Sequence, residues 1–136
     1  MDPQPTIISP SVPAHRTVLC IEDEHFIGEL YARSLSKAGY QVTVIPDGQQ
    51  ALVAAQTDQY DIILLDLMVP NLTGIEILRA LRDPALTPNL KAKIIITTNL
   101  EQREDVRQDI QKQADGYVVK AELTPHELVE FVNNIK

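Results

Sequence analysis

With one cysteine, no tryptophan and only five glycines in 136 residues, the chain has little of what many site chemistries need. Cys20 stands inside the apolar run Thr17–Ile21, where a thiol reads as a small buried hydrophobe rather than a redox or metal group, as suits a cytoplasmic protein. No glycine-rich or hydroxyl-rich loop follows that run, which argues against a flavodoxin-type cofactor binder. No apolar stretch approaches the roughly 20 residues that span a bilayer, and the segment before Thr17 lacks the basic start and apolar core of a signal peptide. A net charge of -7, with scattered basic residues and no interleaved aromatics, has the wrong sign for direct nucleic-acid binding. His15, His25 and His126 are too dispersed to form a metal cluster and read as solvent-facing.

What is present is an alternation of aliphatic runs and amphipathic stretches, the pattern of an α/β protein. Four prolines before Thr17, without hydrophobic periodicity, predict a disordered tail over 1–16 and one domain over 17–136. Strands are expected at TVLCI, QVTVI, IILL, KIII and GYVV; the polar alternation of QVTVI suits an edge, and the apolar run of IILL and the three isoleucines of KIII suit the centre. Helices are expected from His25 to Ala38, closed by Gly39; after Asp47; from Ile75 to Arg82, with Ile75, Leu78 and Leu81 on one side; and from Glu101 to Gln113. The last begins at the capping box Thr124 to Glu127, with Pro125 at its first position and Leu128, Phe131, Val132 and Ile135 on one face. Glu101 to Gln113 offers only Val106 and Ile110 for burial, so it should be the most weakly anchored helix. Five strands alternating with five helices, joined by right-handed crossovers, predict a doubly wound flavodoxin-like (βα)5 domain of strand order 2-1-3-4-5.

In that order the carboxyl ends of four strands meet, and each run ends in a reactive side chain: Glu22 and Asp23, Asp66, Thr98, and Lys120. Carboxylates gathered in one crevice repel; a pair about 4 Å apart costs roughly 4 kcal/mol at an effective dielectric near 20. Hard oxygen donors of this kind suit Mg²⁺, and three acids against one divalent cation and Lys120 come out near neutral. Asp66 would then attack a phosphoryl group whose other oxygens meet Lys120 and Thr98, giving a high-energy acyl phosphate suited to a reversible signal.

The segments VLCIEDE, DIILLDLMVPNLTGIEIL, IIITTN and ADGYVVK resemble the receiver domain of two-component response regulators, from Thr17 to the carboxyl end. The resemblance implies that Asp66 is the phosphoacceptor, Asp23 the direct metal ligand, Glu22 its acidic neighbour acting through water, and the Met68 carbonyl a further ligand. It implies that Thr98 and Tyr117 are a switch pair, that Lys120 binds phosphate, and that Pro70 and Gly74 shape the turn after the acceptor strand. Three residues depart from the pattern: Glu22 stands where aspartate is usual, Asn99 where a small residue is preferred beside the acyl phosphate, and Ala121 where a cis proline is typical. A cis bond to alanine costs about 2.5 to 4 kcal/mol, so a trans Lys120–Ala121 peptide and a reshaped loop are expected.

The expected function is a stand-alone receiver, phosphorylated on Asp66 by a sensor histidine kinase or phosphotransfer protein with Mg²⁺. It would signal to a downstream protein partner through the surface of the Glu101 to Gln113 helix, GYVV and the last helix, with no catalysis beyond its own phosphorylation and dephosphorylation. The alternative is a receiver-like docking module that takes no phosphate. A haloacid-dehalogenase-like phosphatase also uses an aspartyl nucleophile but wants a second aspartate two residues on, where Met68 stands.

Overall fold

The computed structural model describes residues 16–99 and 102–135; the expected tail over 1–16 lies outside them except for Arg16. The elements in chain order are β1 (Thr17–Ile21), α1 (His25–Lys37), β2 (Gln41–Ile45), α2 (Gly48–Gln56), β3 (Ile62–Asp66), α3 (Gly74–Arg82), β4 (Lys93–Thr98), α4 (Glu104–Gln113), β5 (Gly116–Val119), a 3-10 turn at Lys120–Glu122, and α5 (Pro125–Asn134). The sheet has the expected order β2-β1-β3-β4-β5 and every pairing is parallel.

A parallel sheet covered on both sides needs apolar residues on both faces of its central strands, and β3 is buried at all five positions. The twofold alternation of side chains sorts them into two cores. Leu19, Ile21, Ile63, Leu65, Ile94 and Ile96 pack against Ala51 and Ala55 of α2, Ile77, Leu78 and Leu81 of α3, and Ile110 of α4. Val18, Cys20, Ile62, Leu64, Ile95 and Val118 pack against Tyr31 and Leu35 of α1 and Leu128, Val129 and Val132 of α5. Cys20 is the buried hydrophobe expected, and burial pushes its thiol up to about 12.

Helix boundaries follow local chemistry. Gly39, at φ 104°, takes the left-handed position after α1. Asp47 caps α2 by accepting from the Gln50 N–H. Both halves of the Thr124 to Glu127 capping box form. So does a second box, Thr73 to Glu76, ahead of α3. It starts α3 at Gly74 and makes Gly74, Ile77, Leu78 and Leu81 the buried stripe. Ile75, expected on the same side as Leu78 and Leu81, packs against that core but is only partly buried, because the i, i+3, i+4, i+7 series runs from Gly74. In α5 the buried residues are Leu128, Val129 and Val132, with Phe131 and Ile135 at the margin. No described helix is long and apolar enough to cross a membrane.

Helix α4 begins at Glu104, has no side-chain cap at Arg103, and buries only Ile110. Hydrogen exchange followed by mass spectrometry should find α4 amides exchanging faster than those of α3; slower exchange in α4 would overturn its weak anchoring. Thr124→Ala should cost about 1 kcal/mol in urea unfolding by removing the acceptor for the Glu127 N–H.

Candidate functional site

The parallel register builds the site. Ile21 of β1 pairs with Leu65 of β3, so the next residues, Glu22 and Asp66, stand side by side at the carboxyl end of the sheet. Glu22 continues the row Val18, Cys20; Asp66 continues Ile62, Leu64; Lys120 follows Val118. All three therefore rise from the α1 and α5 side of the sheet. Thr98 continues Ile94, Ile96, and Tyr117 packs with the same core, so this pair belongs to the α2, α3 and α4 side. Of the predicted site residues, Glu22, Asp23, Asp66 and Lys120 come together at the carboxyl end of the sheet, while Thr98 and Tyr117 lie on rows that face the other helices.

Glu22 and Asp66 are buried and Asp23 is exposed, with one carboxylate oxygen from each lying within 4.8 Å of the others. Lys120 Nζ lies 2.5 Å from Glu22 Oε1 and 3.0 Å from Asp66 Oδ2, its side chain 6% exposed and theirs 1%. The Met68 N–H donates to Asp66 Oδ1 at 3.0 Å, so both acceptor oxygens are held. Burial, reinforced by the Asp66 charge, outweighs the Lys120 hydrogen bond and pushes the Glu22 carboxyl up to about 7. Burial alone would lower Lys120, but its hydrogen bonds to Glu22 and Asp66 overcome this and raise it, keeping the ammonium charged. The donor set is all oxygen, with no sulfur or imidazole, and fits Mg²⁺. Glu22 was expected to reach a water; here its Oε1 is turned onto Lys120, while its Oε2 accepts the Glu24 N–H at 3.1 Å.

Thr98 is buried, and its Oγ1 accepts from Gln102 Nε2 at 3.4 Å. The Gln102 N–H also reaches the Tyr117 hydroxyl at 3.4 Å, and the Arg107 guanidinium stands 5.4 Å from the centre of the Tyr117 ring. Gln102, which no sequence signal singled out, thus touches both residues of the expected pair. Glu24 was also passed over, although the acidic run Glu22 to Glu24 pointed to it. Its Oε1 lies 3.9 Å from Lys120 Nζ and accepts from Asn99 Nδ2 at 3.3 Å. Asn99 is therefore turned toward the β1–α1 loop.

Met68 exposes 71% of its surface, and its part in the site is made by the main chain. Pro70 lies on the exposed turn, and its carbonyl accepts from the Gly48 N–H at 2.9 Å. Gly74 lies so close beneath β3 that a Cβ there would collide with the Asp66 carbonyl oxygen. All peptide bonds among the described residues are trans, and Lys120–Ala121 enters the 3-10 turn, as expected of the chain without proline there. His25 and His126 are solvent-facing, 89% and 84% exposed; His15 lies outside the described residues.

Comparison with known proteins agrees with this geometry. Residues 18–133 match the family described as the response regulator receiver domain. The response regulator ArlR of Staphylococcus saprophyticus is 34% identical over 88% of this chain and 50% of its own length. The DNA-binding response regulator MtrA of Mycolicibacterium smegmatis is 35% identical over 85% of this chain and 48% of its own. The chain thus spans about half the length of these curated relatives. Among solved structures, the chemotaxis response regulator CheY4 of Vibrio cholerae superposes with a TM-score of 0.77 at 27% identity, over 90% of this chain and 100% of that one. The BeF3-activated receiver domain of Klebsiella pneumoniae RstA does so at 0.74 and 26% identity, over 86% of this chain and 95% of that one. With its fold, its carboxylate and lysine cluster and these matches in agreement, the chain belongs to the response regulator receiver domain family.

Proposed function

We propose that the protein is a receiver that accepts a phosphoryl group on Asp66 from the phosphohistidine of a sensor kinase or phosphotransfer protein. One observation carries the reading: Asp66 is a buried carboxylate held between the Lys120 ammonium and the Met68 N–H, with two further acids beside it. Asp66 Oδ attacks phosphorus, the phosphorus–nitrogen bond breaks, and its electrons return to the imidazole, which takes up a proton. Lys120 turns from the carboxylates to the transferred phosphoryl oxygens, and Thr98 supplies a hydroxyl to another. Glu22, Asp23, Asp66 and the Met68 carbonyl would hold Mg²⁺, which neutralises charge on the phosphoryl oxygens when bound. That a BeF3-activated receiver lies among the structural neighbours supports this reading.

The Thr98 hydroxyl and the Tyr117 ring form the switch, and the response spreads to α4, β5 and α5. These elements border a groove of about 260 Å³ lined by Arg107, Tyr117, Val119, Leu123 and Phe131, a surface suited to a downstream protein partner. A ligand or modification moves such a switch only by its differential interaction with the two states. The chain catalyses only its own phosphorylation and dephosphorylation, acts in the cytoplasm where the kinase would meet it, and passes its output to another protein.

Incubation with acetyl phosphate and Mg²⁺ should add one phosphoryl group by mass, lost without Mg²⁺ and in Asp66→Asn. A folded protein that gains no mass would instead favour a phosphorylation-independent docking module.

The Glu22 carboxyl near 7 links metal binding to pH. Proton and cation compete for the carboxylate, so Mg²⁺ affinity should rise with pH up to about 7 and then level. Affinity at pH 6 should be about tenfold below that at pH 8. Calorimetry should find close to one proton released per ion at the lower pH, and Glu22→Gln should flatten the dependence. A pH-independent affinity in the parent protein would refute the linkage.

A further inference from the structure

The loop that carries the acceptor is tied to α2 by contacts that play no part in the chemistry above. The Gly48 N–H donates to the Pro70 carbonyl at 2.9 Å. One oxygen of the Asp47 carboxylate, Oδ2, caps α2 by accepting the Gln50 N–H at 2.9 Å. The other, Oδ1, accepts a hydrogen bond from Asn71 Nδ2. Asn71 itself sits in the left-handed region at φ 72°, a conformation that asparagine tolerates better than most residues. The two loops also touch at Gly48, where a Cβ would collide with the Leu72 carbonyl oxygen, so only glycine allows this approach. The hydrogen bonds to Gln50 and Asn71 hold the Asp47 carboxyl below its usual value.

The braced segment 70–72 lies between two parts of the site. On one side Met68 donates to the Asp66 carboxylate; on the other the Gly74 N–H donates to the Leu67 carbonyl at 3.0 Å, with Gly74 packed beneath Asp66. We infer that Asp47 and Gly48 are positioning residues for phosphoryl transfer: they clamp the Pro70–Asn71 turn to the start of α2, and the turn in turn fixes the Met68 main chain against Asp66. The inference rests on the assignment of Asp66 as phosphoacceptor. An exposed loop that was only closed at its ends would leave the Met68 N–H and carbonyl free to wander, and small misplacements at a reacting centre are costly in rate.

Two substitutions separate the clamp from the helix cap. Asp47→Ser keeps an oxygen that caps α2 but is too short to reach Asn71. Asn71→Gly removes the other partner and suits the left-handed backbone. Each variant is measured for thermal midpoint, for Mg²⁺ affinity by calorimetry, and for initial phosphorylation rate with acetyl phosphate, beside the parent and Asp66→Asn. The expected result is a near-parental midpoint with about tenfold slower phosphorylation and weaker Mg²⁺ binding in each. The double variant should be no worse than either single one. Parental rate and Mg²⁺ affinity in both single variants overturn the inference, as do losses that multiply in the double variant. If Asp47→Ser does not fold, Asn71→Gly alone decides. If the parent takes no phosphate, the assignment of Asp66 fails, and Mg²⁺ affinity in the two variants still tests the clamp.

Discussion

Two carboxylates, Glu22 and Asp66, are buried side by side at the ends of adjacent central strands, and one ammonium, Lys120, lies between them. Removing these charges from water is costly, and a buried pair that loses one partner costs about 3–5 kcal/mol. The compensation comes from far along the chain, since Lys120 is 98 residues from Glu22. It requires β1, β3 and the end of β5 to meet at one edge, which the order β2-β1-β3-β4-β5 provides. One lysine cannot neutralise Glu22, Asp23 and Asp66 together, and the surplus negative charge leaves a site that could hold a divalent cation.

The alternation of side chains along each strand then divides the labour. Glu22, Asp66 and Lys120 extend rows that pack against α1 and α5, while Thr98 and Tyr117 extend rows that pack against the opposite helices. The two faces adjoin at the ends of β4 and β5, where Thr98 pairs with Val119, next to Lys120. On that far face stands α4, the helix with the least buried surface to hold it, and Gln102 just before it touches both Thr98 and Tyr117. A weakly held helix beside a buried hydroxyl suits a family whose work is to change shape on phosphorylation.

Much of this was legible in the residues alone. Wholly apolar runs in Ile62–Leu65 and Ile94–Ile96 marked central parallel strands, the alternation in Gln41–Ile45 marked an edge, and the Thr124 box marked the start of α5. Gly74 and Ile77 were harder to see as part of the buried stripe of α3, because the helix phase depends on where the first turn begins, and the Thr73 box that sets it is a pair of weak local signals. Gln102 and the Asn99 to Glu24 contact were invisible, since nothing local distinguishes a glutamine that bridges two hydroxyls from one in solvent.

By itself the sequence determined the elements, their order in the sheet, and the identity of the side chains at the strand ends, because periodicity and chain direction are local properties. Only the tertiary structure decided how those side chains are shared. It turned Glu22 onto Lys120, set Thr98 and Tyr117 across the sheet from them, and tied Asp47 to Asn71. Those outcomes depend on which strand ends and loops come within hydrogen-bonding reach and on how much water is excluded there, and both are properties of the packed whole.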